Sequence, residues 1–134
     1  MNNTIALYIR VSLEDDDIKG EKTESNSVTN QRKLLNSFVS AQDEFVGSQA
    51  IEFVDDGYTG RNFDRPGFKK LIEACRGKKV SCIIVKDLSR LGRNYVEVGN
   101  LMEQIFPFLG VRIISVNDNY DSNSYDGLTG RYSV

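Results

Sequence analysis

The chain reads as an α/β domain: a mostly parallel sheet of four to five strands with helices on both faces. Three observations predict it. Apolar runs of strand length alternate with stretches of helical periodicity. One run, Val80 to Val85, is almost continuously apolar, as a strand buried on both faces must be. And 134 residues, 40% apolar and 27% charged, suit one globular domain that buries roughly two thirds of its unfolded surface.

The elements follow in order. Thr4 to Val11 alternates with a period of two, with Ile5, Leu7, Ile9 and Val11 on one face. Ala6, Tyr8, Arg10 and Ser12 share the other. Leu13 to Glu24 is acidic and aperiodic, a mobile loop by expectation. Ser27 suits the N-cap of a helix to about Gln42, with Val28, Leu35, Phe38 and Val39 inward. Ile51 to Val54 makes a short strand, and Asp55 to Asp64 a Gly-punctuated loop. Pro66 suits the first turn of a helix to about Arg76 with Phe68, Leu71, Ile72 and Cys75 inward, and Gly77 closes it. Val80 to Val85 is the third strand. Tyr95 to about Leu109 is helical by the spacing of Val98, Met102, Ile105 and Leu109, with its last turn weakened by Pro107. Val111 to Val116 is the fourth strand. Asn117 to Asp126, with few apolar anchors, reads as a mobile loop.

Composition excludes several classes. The chain has no His, which rules out a Ser–His–acid triad. Two cysteines, Cys75 and Cys82, make no disulfide framework and fall at apolar positions, so both are expected as buried thiols. A zinc site is improbable with so few soft ligands. No apolar run approaches the ~20 residues of a membrane span, and the start carries no signal-like segment, so the expected location is cytoplasmic. The net charge of −2 hides an asymmetry. Glu14 to Asp56 holds eleven acids and four bases; Arg61 to Arg93 holds ten bases and three acids. That basic block is either an electrostatic footprint for nucleic acid or a solvated helix face.

In open α/β sheets, ligands bind outside the carboxyl ends of the strands. The polar clusters of this chain fall there. Arg10 and Ser12 end the first strand, Asp56 to Arg65 follows the second, Asp87 to Arg93 the third, and Asn117 to Asp121 the fourth. Singly, each residue has a bland reading: Ser12 as a turn residue, Arg10 as a surface ion pair, Asp87 as a helix cap. Their convergence on one edge favours a site. A serine hydroxyl is a poor nucleophile without electrostatic help. The guanidinium fork matches phosphate oxygens and stays charged at any working pH. Ser12 beside Arg10, Arg65, Arg90 and Arg93 therefore points to attack on a phosphate rather than a carbonyl. Arg90 and Arg93 would share a face if they open a helix, whose N-terminus would add positive potential.

Five segments carry a resemblance: Tyr8-Ile9-Arg10-Val11-Ser12, Gln31-Arg32, Asp55-Asp56-Gly57-Tyr58-Thr59-Gly60, Asp64-Arg65-Pro66-Gly67-Phe68 and Lys86-Asp87-Leu88-Ser89-Arg90-Leu91-Gly92-Arg93-Asn94. In this order they resemble the catalytic domain of serine site-specific recombinases, the resolvase/invertase family. The wording is most similar to large serine recombinases, particularly those that move clostridial mobilisable transposons. The resemblance implies that Ser12 attacks a scissile DNA phosphate, forms a covalent 5′-phosphoserine link and releases a 3′-hydroxyl. It implies that Arg10, Arg65, Arg90 and Arg93 are active-site arginines, with Tyr8, Gln31 and Asp87 in support. Ser89 stands where many small resolvases carry aspartate; large members often have serine there and aspartate two residues earlier, as Asp87 is here. It further implies double-stranded DNA as partner, a homodimer that forms a synaptic homotetramer, exchange by subunit rotation, and no cofactor, metal or ATP. On this resemblance residues 1–134 are a catalytic domain that stops before the long dimerisation helix and the DNA-binding domains.

Two other classes compete. A non-catalytic DNA-binding regulatory module would keep the fold while Ser12 stays inert. A nucleotide-binding enzyme or phosphate-accepting receiver would need a Gly-rich turn after the first strand or an acidic pocket. The chain has Ser-Leu-Glu-Asp-Asp-Asp there, and the Asp55-Asp56 pair has arginines for neighbours.

Overall fold

Strand β1 (Thr4–Val11) lies inside the sheet, and its alternation organises both layers of the core. The computed structural model describes residues 4–11, 26–56, 65–92, 94–126 and 131–132. Ser12, the acidic stretch Leu13 to Glu24, residues 57–64 and Arg93 lie outside the described residues. Along the chain follow α1 (Asn26–Ser40), β2 (Gln49–Asp56), α2 (Pro66–Arg76), β3 (Cys82–Val85), α3 (Tyr95–Asn100), α4 (Phe106–Leu109), β4 (Arg112–Ser115) and β5 (Tyr120–Asp121). Two short strands, β6 (Tyr125–Asp126) and β7 (Arg131–Tyr132), pair separately. The sheet order is β2-β1-β3-β4-β5, parallel except for β5. The chain therefore steps outward from β1 in both directions, which opens a crevice at the carboxyl ends of β1 and β3.

One face of β1, Ile5, Leu7, Ile9 and Val11, packs with Cys82, Ile84 and Ile114 beneath Val28 and Leu35 of α1. The other face, Ala6 and Tyr8, packs with Ile83, Val85 and Ile113 against Leu71 and Cys75 of α2 and against Leu101 and Phe106. Helices cover both faces, as the sequence predicts. Both cysteines are buried free thiols, and burial pushes them up to about 11 for Cys75 and about 12 for Cys82. Among the described residues no helix is long and apolar enough to cross a membrane.

Several expectations need correction. Helix α1 begins at Asn26, so Ser27 lies in its first turn rather than at the N-cap. Strand β2 is longer than Ile51 to Val54 and takes in Asp55 and Asp56, because its whole length pairs with β1. Helix α2 has the expected limits, yet Gly77 keeps a φ of −81° and Lys78 adopts the left-handed conformation at φ 60°. The helix expected from Tyr95 to Leu109 is split by a π turn over Leu101–Ile105, with the Phe106 N–H reaching the Leu101 carbonyl. Pro107 explains it: proline has no N–H, and its ring clashes with the carbonyl four residues back. The wider turn brings Leu101 and Phe106, five residues apart, both into the core, while Met102, Ile105 and Leu109 are only partly buried. Burying Phe106 is worth roughly 1.5–3 kcal/mol. Finally, Asn117 to Asp126 is not a loop throughout. Tyr120 is buried, β5 pairs antiparallel with β4, and Arg112 binds Asp121 at 2.6 Å.

Candidate active site

The turn at residues 88–91, just beyond β3, is where the arginines meet. Arg10 lies on the Ala6–Tyr8 face of β1, near its end, and its guanidinium reaches the turn beyond β3. Its Nε donates to the Arg90 carbonyl at 3.0 Å and its Nη2 to the Ser89 carbonyl at 2.6 Å. Arg90 answers from the other side, its Nη1 donating to the Arg10 carbonyl at 3.0 Å. That same carbonyl accepts from Gln31 Nε2 at 3.2 Å, which ties α1 to the end of β1. Gln31 is 2% exposed, a polar residue on the face that buries Val28 and Leu35. Arg65, before α2, donates from Nη1 to the Leu91 carbonyl at 3.1 Å. Arg10, Arg65 and Arg90 thus come together from three of the strand-end segments, and Gln31, which only the resemblance singles out, joins them from α1. Ser12 and Arg93 lie outside the described residues. Ser12 follows the last residue of β1 by one position and Arg10 by two.

Arg65 is 7% exposed, and a buried cation needs compensation. It has three sources: the Leu91 carbonyl, the face of Phe68 at 4.3 Å from the ring centroid, and the Glu97 carboxylate at 4.0 Å. Phe68 in turn meets the Tyr8 ring edge-on at 5.4 Å. Beneath them sits Asp55, fully buried at the end of β2. It accepts from Tyr8 Oη at 2.6 Å and from the backbone N–H groups of Gly67 at 2.7 Å and Phe68 at 2.9 Å. Asp55 therefore caps the start of α2 from a neighbouring strand, satisfying donors that Arg65, at the N-cap position, leaves unbonded by its side chain. Gly67 makes the approach possible: a Cβ there would lie 2.8 Å from the Val54 carbonyl oxygen and 2.9 Å from Asp55 Oδ1. Burial, then the bond to Asp55, raises the Tyr8 hydroxyl far above its ordinary value, so it stays a proton donor. The acidic pair weighed as a pocket in the sequence is thus a structural acceptor at Asp55. Sequence reasoning gave Asp55 and Gly67 no role of their own and placed Phe68 only as an inward residue of the helix. The Asp-Arg-Pro-Gly-Phe string was the available signal, because glycine right after a helix-starting proline marks a close backbone approach.

Asp87 lies before the 3₁₀ turn Leu88–Arg90 and does not cap it with its side chain. Its carboxylate accepts from Ser89 Oγ and sits 3.4 Å from Arg90 Nε. Arg90 sits in that 3₁₀ turn rather than at the opening of a helix. Helix α3 begins at Tyr95, and Asn94 is its N-cap, its side-chain oxygen accepting from the Glu97 N–H at 2.8 Å. Arg90 belongs to the separate turn before it, so no helix N-terminus adds its potential at Arg90.

Guanidinium groups gathered at the carboxyl end of a parallel sheet define an α/β domain suited to binding phosphate-like anions. The chain belongs to the resolvase family: the model of the resolvase N-terminal domain matches residues 5–129. A curated relative, "Putative DNA recombinase" of Bacillus subtilis (strain 168), is 27% identical over 123 residues, covering 92% of this chain and 22% of that protein. Among solved structures, a resolvase family site-specific recombinase from Streptococcus pneumoniae superposes with a TM-score of 0.70 at 27% identity, over 94% of this chain and 79% of that one. The catalytic domain of ISC1926 TnpA, an IS607-like serine recombinase, gives 0.63 at 25% identity, over 84% and 70%. The N-terminal catalytic domain of TP901-1 integrase shares the fold, with a TM-score of 0.72 at 24% identity over 94% and 86%. The α/β, resolvase-like architecture expected from the sequence is the one these structures have.

Proposed function

We propose that this domain cuts and rejoins double-stranded DNA in site-specific recombination, with Ser12 as the nucleophile. Ser12 Oγ attacks the scissile phosphorus. The new Oγ–P bond forms as the P–O3′ bond breaks, leaving a 5′-phosphoserine and a 3′-hydroxyl; the serine proton leaves Oγ and a proton reaches O3′. Because a phosphodiester bond is exchanged for another, religation reverses the step without ATP. Arg10, Arg65, Arg90 and Arg93 offset the charge that builds on the phosphoryl oxygens. Tyr8, Gln31 and Asp87 hold that group in place. The observation that carries the reading is the convergence of Arg10, Arg65 and Arg90 on one turn, at the strand ends beside which Ser12 follows.

The finer reading rests on the motifs. The wording of Asp55 to Gly60 and of Lys86 to Asn94 supports a large serine recombinase of the transposon-moving type, resembling those of clostridial mobilisable elements. On it, the domain works in the cytoplasm within a longer protein that adds a dimerisation helix and DNA-binding domains, pairs as a homodimer and joins DNA ends as a homotetramer, with no cofactor. The test is Ser12→Ala in the full-length protein. Covalent protein–DNA adduct should vanish while the circular dichroism spectrum is kept, and wild-type adduct should form in EDTA. An adduct that persists in the alanine variant overturns the assignment. A wild type that binds DNA without ever forming an adduct favours the non-catalytic regulatory module.

A further inference from the structure

The arginine-bearing turn is itself anchored from β4. Leu88 N–H is the first donor of the turn, and Asp87, at its N-cap position, leaves that job undone. The donor goes instead to Asp118, thirty residues away on the β4–β5 turn, whose Oδ2 accepts from it at 2.9 Å. The same oxygen accepts from Ser115 Oγ at 2.6 Å, and Ser115 is buried at the end of β4. Backbone bonds run beside this one: Val116 N–H to the Val85 carbonyl at 3.0 Å and Asn117 N–H to the Lys86 carbonyl at 2.8 Å. Residue 119 takes a left-handed φ of 52°, tolerable for Asn, and turns the chain back into β5. The carbonyls of Ser89, Arg90 and Leu91 in turn hold Arg10 and Arg65. Moving the turn therefore moves the guanidinium groups of Arg10, Arg65 and Arg90 together.

We propose that Asp118 is a positioning residue for phosphoryl transfer: it fixes the 88–91 turn to β4 and so sets the arginine cluster against the phosphate. The inference rests on the reading of this site as a DNA-cleavage centre. A carboxylate suits the post because one oxygen serves two donors, the hydroxyl from its own strand end and the amide from the turn. Asparagine retains an oxygen acceptor of the same reach; alanine retains none.

The full-length protein is compared as wild type, Ser12→Ala, Asp118→Ala, Asp118→Asn and Ser115→Ala. The probe is a supercoiled plasmid carrying the junction of the DNA element that encodes the protein. Adduct formation at saturating protein, DNA affinity by gel shift and hydrogen exchange at the Leu88 amide are measured together. Asp118→Ala should slow adduct formation by about 10²-fold, the cost of misplacing a catalytic group by about 1 Å, with DNA affinity unchanged. Leu88 amide exchange should quicken by about tenfold. Asp118→Asn should recover most of both losses, and Ser115→Ala should fall between wild type and Asp118→Ala. A loss shared equally by binding and adduct formation, or none in either, overturns the proposal, as does an Asp118→Asn variant no better than alanine. Should Asp118→Ala fail to fold, Ser115→Ala and Asp118→Asn carry the same comparison. A wild type without Ser12-dependent adduct sinks the cleavage reading instead, while unchanged Leu88 exchange in Asp118→Ala sinks the anchor itself.

Discussion

The two ends of the sheet use arginine in opposite ways. At the amino end, Arg112 at the start of β4 is gripped by carboxylates. Glu44 meets it at 2.8 Å and Asp121 at 2.6 Å, both by paired hydrogen bonds, and its guanidinium also lies over Phe45 at 5.7 Å. At the carboxyl end, among the described residues, Arg10 and Arg65 donate to neutral backbone carbonyls, and the carboxylates of Glu97 and Asp87 pair with Arg65 and Arg90 at the longer distances of 4.0 and 3.4 Å. A carbonyl fixes the geometry of a guanidinium without cancelling its charge. The lesson is that an arginine's partners separate roles that its residue type does not. Carboxylate-saturated arginine clamps structure, whereas carbonyl-anchored arginine keeps positive potential for an anion.

The sharpest way to break this contrast is to exchange outcomes between the ends. Arg90→Ala should cut DNA cleavage by at least about 10²-fold with a smaller loss of DNA binding. Equal losses would mark Arg90 as an ordinary phosphate anchor and erase the distinction. Gly67→Ala tests whether packing at the carboxyl end is as tight as the electrostatics require. Its Cβ would press on Val54 and Asp55, so stability should fall by about 1–3 kcal/mol in urea unfolding. An unchanged midpoint would mean that the Asp55 cap has slack. Arg112→Met should lower stability by about 1–2 kcal/mol, since the pairs it breaks are only partly buried, and should leave cleavage per folded molecule unchanged.

The smallest effect is in the pH profile. Arg112 holds Asp121 and Glu44 below their ordinary values of 3.8 and 4.5, chiefly through hydrogen bonds to the carboxylates. A depressed carboxylate stabilises the fold above its unfolded value, and that contribution is lost as pH falls through the folded value. Thermal unfolding followed downward from pH 5 should therefore show the melting temperature dropping in wild type more steeply than in Arg112→Met. Parallel curves would show that the clamp contributes nothing.

Much of this architecture was legible, for local reasons. The two-residue period of Thr4 to Val11 assigns both faces of β1 correctly, and Pro66 with Gly77 brackets α2 to the residue. What the sequence hid was non-local. A π turn defeats a 3.6-residue period, so Phe106 was missed as a core residue although Pro107 stood beside it. A two-residue strand has no period to read; β5 pairs with β4, and Arg112, nine residues before Asp121, binds its carboxylate. The convergence of Arg10, Arg65 and Arg90 was readable from the strand-end rule, whereas Gln31, inside α1, was signalled only by the family resemblance. The parts played by Asp55 and Asp118 were not readable, because each accepts backbone N–H groups from another segment, Asp55 at the start of α2 and Asp118 at the 88–91 turn. Ser12 and Arg93 lie outside the described residues.

The bonds from Arg10 to Ser89 and Arg90 join parts of the chain 79 and 80 residues apart. Contacts so distant in sequence close late, after β1, β3 and their helices have assembled. No short peptide from this chain contains the cluster, and a ribosome must release most of the domain before it can exist. A site built this way is incomplete throughout the chain's own synthesis, and again whenever the domain begins to unfold.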